Sequence, residues 1–73
     1  MPKNFSGKQL VQFLSKKGFS IYSQKGSHVK MISISRNTKT IVPLHKVVAI
    51  GTLKDIIRQS KLSGEEKGEF FDS

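Results

Sequence analysis

A chain of 73 residues is a single domain with a small core, because so short a polypeptide buries only about 60% of the surface its unfolded form exposes. It has no cysteine for a disulfide framework or thiolate zinc site, and its two histidines and five acidic residues leave no convincing cluster of metal ligands. The net charge of +8, from thirteen Lys and Arg against five Asp and Glu, implies a polyanionic partner, nucleic acid first and an acidic protein second.

No basic-then-apolar leader opens the chain, and no apolar run approaches the ~20 residues that span a bilayer, so a cytoplasmic protein is expected. Residues 1–5 read as a flexible lead-in. Ser6 followed three positions later by Gln9 is a capping-box pattern, which predicts a helix over 7–17. Leu10, Phe13 and Leu14 fall at helical spacing beside Val11, with Lys8, Gln12, Lys16 and Lys17 on the other side. Gly18 then suits a left-handed cap.

Residues 19–25 and 28–35 alternate and are separated by Gly26-Ser27, which predicts a hairpin with a type II′ turn. That turn sets a register in which Lys25 faces His28, Ser23 faces Lys30, Ile21 faces Ile32 and Phe19 faces Ile34 on one side of the sheet. Tyr22, Gln24, Val29 and Met31 would occupy the other. Arg36-Asn37-Thr38 is a turn, and a third strand over 39–42 stops at Pro43, which has no N–H for a ladder.

Residues 44–50 read as a loop. Gly51-Thr52 opens a second helix, with Thr52 as N-cap, Asp55 three residues on, a buried stripe of Leu53, Ile56 and Ile57, and an end near Ser60. Ser63 and Glu66 mark a final turn or short helix whose Phe70 and Phe71 dock on the core in preference to a partner. The order predicts an α+β fold, helix–strand–strand–strand–helix, with a three-stranded antiparallel sheet and two helices on one face.

RNA is cut without a metal when a group removes the ribose 2′-hydroxyl proton as that oxygen attacks the neighbouring phosphate. Histidine titrates in the useful range. His28 has Lys25 across the hairpin and Lys30 two residues on, and their ammonium groups steady phosphate charge. By residue type alone, an ordinary polar residue at a strand start is the commoner identity for such a histidine.

His45, in the loop after the third strand, reads first as a solvated residue or phosphate contact and second as another proton-transfer group. Ser27 has no acid–base partners in view and is assigned a turn role. Gly51 is backbone geometry before a helix more than a phosphate cradle. Lys46, Lys54, Arg58 and Lys61 are solvated, with contact to RNA or a protein as the alternative.

Lys25-Gly26-Ser27-His28, Val42-Pro43-Leu44-His45, and Gly51-Thr52-Leu53 followed by Ile56-Ile57-Arg58-Gln59 resemble, in order and spacing, the HicA toxin family. The opening segment through Gly18-Phe19 and the closing Ser63-Gly64-Glu65-Glu66 extend the resemblance over essentially the whole chain. It implies a fold similar to the double-stranded RNA-binding domain, and a metal-independent endoribonuclease without cofactor that cleaves mRNA. It also implies a type II toxin–antitoxin pair in which a HicB antitoxin, encoded alongside, silences the toxin within a hetero-oligomer.

Carried over by position, the motif histidine is His28, with Gly26 and Ser27 shaping the turn that presents it. Lys25, Ser27, Lys30 and His45 are then the candidate RNA contacts. Val29 departs from the many members that carry a second histidine or another polar residue there, and Val47-Val48-Ala49 is more apolar than the pattern. A non-catalytic RNA-binding module of the same fold, reading the A-form backbone by charge and shape, shares these compositional features, and a basic protein-interaction domain is the third reading.

Overall fold

The computed structural model describes residues 4–72, in the order α1 (Gly7–Lys16), β1 (Ser20–Lys25), β2 (His28–Ser33), β3 (Thr38–Pro43), α2 (Ile50–Gln59) and α3 (Gly64–Asp72). The expected α+β order is present around one antiparallel sheet, β1-β2-β3, with α3 forming the short helix marked by Ser63. None of the described helices is long and apolar enough to cross a membrane.

Local chemistry accounts for α1. The Ser6 hydroxyl accepts from the Gln9 N–H at 3.1 Å and the Gln9 side chain accepts from the Ser6 N–H at 2.9 Å, closing the capping box. At the other end Gly18 takes φ +93°, and the N–H groups of Gly18 and Phe19 return to the carbonyls of Ser15 and Leu14. This is the Schellman arrangement, which a residue with a Cβ enters only with strain. Leu10 and Leu14 are fully buried, with Val11 and Phe13 packed beside them.

The central strand β2 sorts the sheet into two faces. Val29, Met31 and Ser33 are buried towards the helices, whereas His28, Lys30 and Ile32 stand on the open face. On β3, Thr40 and Val42 turn inward against α2, which contributes Leu53, Ile56 and Ile57 to the core. The buried Thr40 hydroxyl is satisfied by the Gln59 side chain at 2.9 Å.

Five expectations are corrected. The register holds for Lys25–His28 and Ser23–Lys30, but a β-bulge at Tyr22 then shifts it, so that Ile21 pairs with Met31 and Ser20 with Ile32. Phe19 is consequently not opposite Ile34: Phe19 enters the core and Ile34 is 87% exposed. β3 includes Pro43, which is tolerated because β3 is an edge strand and no neighbour needs its missing N–H.

Helix α2 starts three residues early, with Ala49 in place of Thr52 as N-cap and no side-chain cap, so Thr52 lies inside the helix. The Leu53 N–H already reaches the Ala49 carbonyl at 2.8 Å. Phe5 is no lead-in: it is buried, its ring stacks on Phe70 at 4.2 Å, and its carbonyl accepts from Val48 at 2.7 Å. Residues 1–3 of that expected lead-in lie outside the described residues. Phe70 docks on the core as expected, while Phe71 remains 40% exposed.

Arg36 ties the helix ends together. Its guanidinium donates to the carbonyls of Lys17 (3.2 Å) and Lys61 (3.0 Å) and grips Glu66 bidentately at 3.1 and 2.7 Å. Those hydrogen bonds, followed by the Ser63 N–H, hold the Glu66 carboxyl at about 2, below its ordinary 4.5. Because the folded-state value is the lower one, this contribution to stability is complete above about pH 4.5 and drains away as pH falls towards 2. Thermal melts should therefore decline across that window, and Arg36→Met should make the decline shallower. The variant should also melt lower at pH 7, since two carbonyls lose their donor. Parallel pH dependences for the two proteins would refute the assignment.

Candidate nucleic-acid interface

The hairpin tip is a two-residue turn in which Gly26 takes φ +60° and Ser27 does not adopt a positive value. That is the type II′ requirement, met by the one residue type that adopts it at little cost. Lys25 and His28 are cross-strand partners immediately beyond the turn, and Lys30 follows His28 on the same open face. His28, Lys25 and Lys30 are thus brought together by the strand pleat alone.

Three further bonds gather the rest of this end of the molecule. The Ser27 carbonyl accepts from the Leu44 N–H at 2.6 Å, stapling the hairpin tip to the end of β3, where Pro43 pairs with His28. One residue on, the His45 carbonyl accepts from the Gly7 N–H at 2.9 Å, and Val48 is held by Phe5. The start of α1, the hairpin tip and the β3–α2 connection therefore converge. Ser6, Lys8, Leu44, His45 and Lys46 line one shallow depression there.

The charge distribution is lopsided. All five acidic residues lie at position 55 or later. Three are engaged by cations: Asp55 by Arg58, Glu66 by Arg36 and Glu69 by Lys17. Among the described residues, Lys8, Lys25, Lys30, Lys39 and Lys46 form no ion pair, so their charge faces solvent unneutralised. A surface of this kind attracts phosphate by steering and counterion release.

His28 and His45 are both exposed, and neither imidazole has a hydrogen-bond partner among the described residues. Their main chains flank the Ser27–Leu44 bond. Ser27 is exposed at the turn, and among the described residues no acid or base engages its hydroxyl. Among the described residues no three His, Asp or Glu side chains gather to hold a metal ion.

Of the other cations, Arg58 is occupied with Asp55 and Lys61 donates to the Asn37 carbonyl at 3.3 Å, both away from the hairpin tip. Lys8 and Lys46 join the site through contacts distant in sequence, the Ser27–Leu44 and Gly7–His45 bonds.

The chain is thus a small basic α+β domain that presents a histidine and two lysines at a hairpin tip whose strands carry no carboxylate. Residues 7–62 match the family model of the HicA toxin of bacterial toxin–antitoxin systems, and the chain belongs to that family. Helix α3 and Phe5 lie outside the matched segment. No curated protein shows a match to the chain.

Proposed function

We propose that this HicA-family toxin is an endoribonuclease that cleaves mRNA without a metal, with His28 as the general base. The supporting observation is the exposed His28 imidazole, held beside Lys25 and Lys30 on the open face of a type II′ hairpin. His28 takes the proton from a ribose 2′-hydroxyl as that oxygen bonds to the adjacent phosphorus. Lys25 and Lys30 steady the charge on the phosphoryl oxygens, and the Ser27 hydroxyl and His45 contact the neighbouring phosphate.

As the P–O5′ bond breaks, the departing oxygen takes a proton, from His45, a lysine or water. The products are a 2′,3′-cyclic phosphate and a 5′-hydroxyl. A HicB antitoxin, binding as a hetero-oligomeric partner in the cytoplasm, keeps the nuclease silent.

Purified protein incubated with structureless RNA in chelator should yield fragments carrying those two ends. The same sequence with 2′-O-methyl riboses should stay whole, since it lacks the attacking hydroxyl. A salt-sensitive mobility shift without fragments would leave a non-catalytic RNA binder and overturn the proposal.

A further inference from the structure

The open face of the sheet carries an unused aromatic. The bulge between Ile21 and Ser23 displaces Tyr22 from simple alternation, and Tyr22 shares a shallow depression with Lys39 and Ile41, whose side chains stand on the open face. Tyr22 is 51% exposed and Ile41 49%, a large outlay of apolar surface for a domain with so small a core. Lys39 lines the same depression, Lys25 and Lys30 lie on the adjoining strands, and no carboxylate lies on any of the three strands. Asp55 of α2, which also lines the depression, is paired with Arg58 at 2.8 Å.

We infer that this face is a binding track for single-stranded RNA, in which an unpaired base stacks on the Tyr22 ring while Lys30 and Lys39 hold the adjoining phosphates, leading the strand towards His28. The inference rests on the proposed action on RNA and adds the substrate class, unpaired over the segment next to the cut. Charge complementarity selects a polyanion, and the flat, half-exposed ring among lysines selects one with accessible base faces. A duplex keeps its bases stacked internally and offers the sheet only phosphate and ribose. Tyr22 lies about 10 Å along the strand from the His28 row, close enough for one short segment to span both.

Tyr22 is the only tyrosine and there is no tryptophan, so intrinsic fluorescence reports on this ring directly. The His28→Ala protein, used to prevent cleavage, would be titrated with a short oligoadenylate, with inorganic polyphosphate and with an RNA duplex of equal length. Oligoadenylate should quench the emission, and polyphosphate, which engages lysines alone, should not; the duplex should bind without comparable quenching. Adding Tyr22→Ala should weaken oligoadenylate binding by roughly 5- to 100-fold, while Tyr22→Phe, which keeps the ring, should bind as the parent does.

Oligoadenylate bound with unchanged emission, or bound equally by the Tyr22→Ala protein, would overturn the inference. It would do so even where wild-type protein cleaves RNA, leaving the proposed function standing. A protein that neither binds nor cleaves RNA would remove both.

Discussion

Cells expressing the His28→Ala protein should grow through an induction that halts cells expressing the wild type, and their RNA should remain intact. Removing a positioned general base typically costs about 10²- to 10⁴-fold in rate. His28 is exposed and its ring makes no hydrogen bond within the described chain, so the substitution leaves the core untouched. Stability should change by no more than about 0.5 kcal/mol, the usual range for a surface site. Affinity for RNA should fall little, because Lys25, Lys30 and Lys8, at the start of α1, remain. This combination of intact folding, intact binding and lost cleavage separates a base from a residue that merely shapes the surface. Growth arrest by the variant at wild-type potency would mean that the chemistry lies elsewhere.

Gly7→Ala should produce the largest loss of stability of any conservative change. Alanine ordinarily favours a helix over glycine by about 1 kcal/mol. Here the added methyl would overlap the Pro43 carbonyl oxygen and lie 2.7 Å from the Leu44 Cα. Both obstacles are main chain at the end of β3, held in place by the Ser27–Leu44 bond, so neither swings aside as a side chain would. Helix α1 must lift instead, losing the Gly7–His45 bond and disturbing the seats of Leu10 and Leu14.

Overpacking of this kind costs about 3 kcal/mol, equivalent to a fall of roughly 12–24 °C in melting temperature for a domain of this size. Gly64→Ala, where a methyl would meet nothing within 4 Å, is the matched control and should melt at or slightly above the wild type. The Gly7→Ala protein should also bind RNA less tightly, because the same bond aligns the His45 segment with the hairpin tip. Equal melting of the two alanine variants would show that α1 is not seated against β3 as described.

The parts of the fold legible in the sequence are those decided within a few residues. The capping box of Ser6 and Gln9, the left-handed Gly18 and the Gly26-Ser27 turn each have a short-range chemical cause, and each is present. The start of α2 shows the limit of such signals. Thr52 and Asp55 look like a cap, yet the buried Val48, anchored by Phe5, sets the chain on a helical path earlier. Phe5 itself gives no sign of order until its stacking partner Phe70, at the opposite end of the chain, is in place.

The bulge at Tyr22 was hidden for a different reason. Ile21 and Tyr22 are both apolar and both suit a strand, so alternation does not say which one the ladder skips. At the candidate site, the Lys25, His28 and Lys30 cluster follows from the turn and the pleat. The addition of Lys8, His45 and Lys46 depends on two long-range main-chain bonds that no local pattern encodes. Arg36 reads as a turn residue in isolation; its role as a clamp needs α1, α2 and α3 to be assembled first.

The most direct trial of the account is the cleavage rate of one defined transcript by purified wild-type and His28→Gln proteins, side by side in chelator. Glutamine keeps a polar side chain at the hairpin tip but cannot take up the 2′-hydroxyl proton, so the wild type should generate cyclic-phosphate ends and the variant almost none. Fragments with the same ends, appearing at the same speed from both proteins, would contradict it.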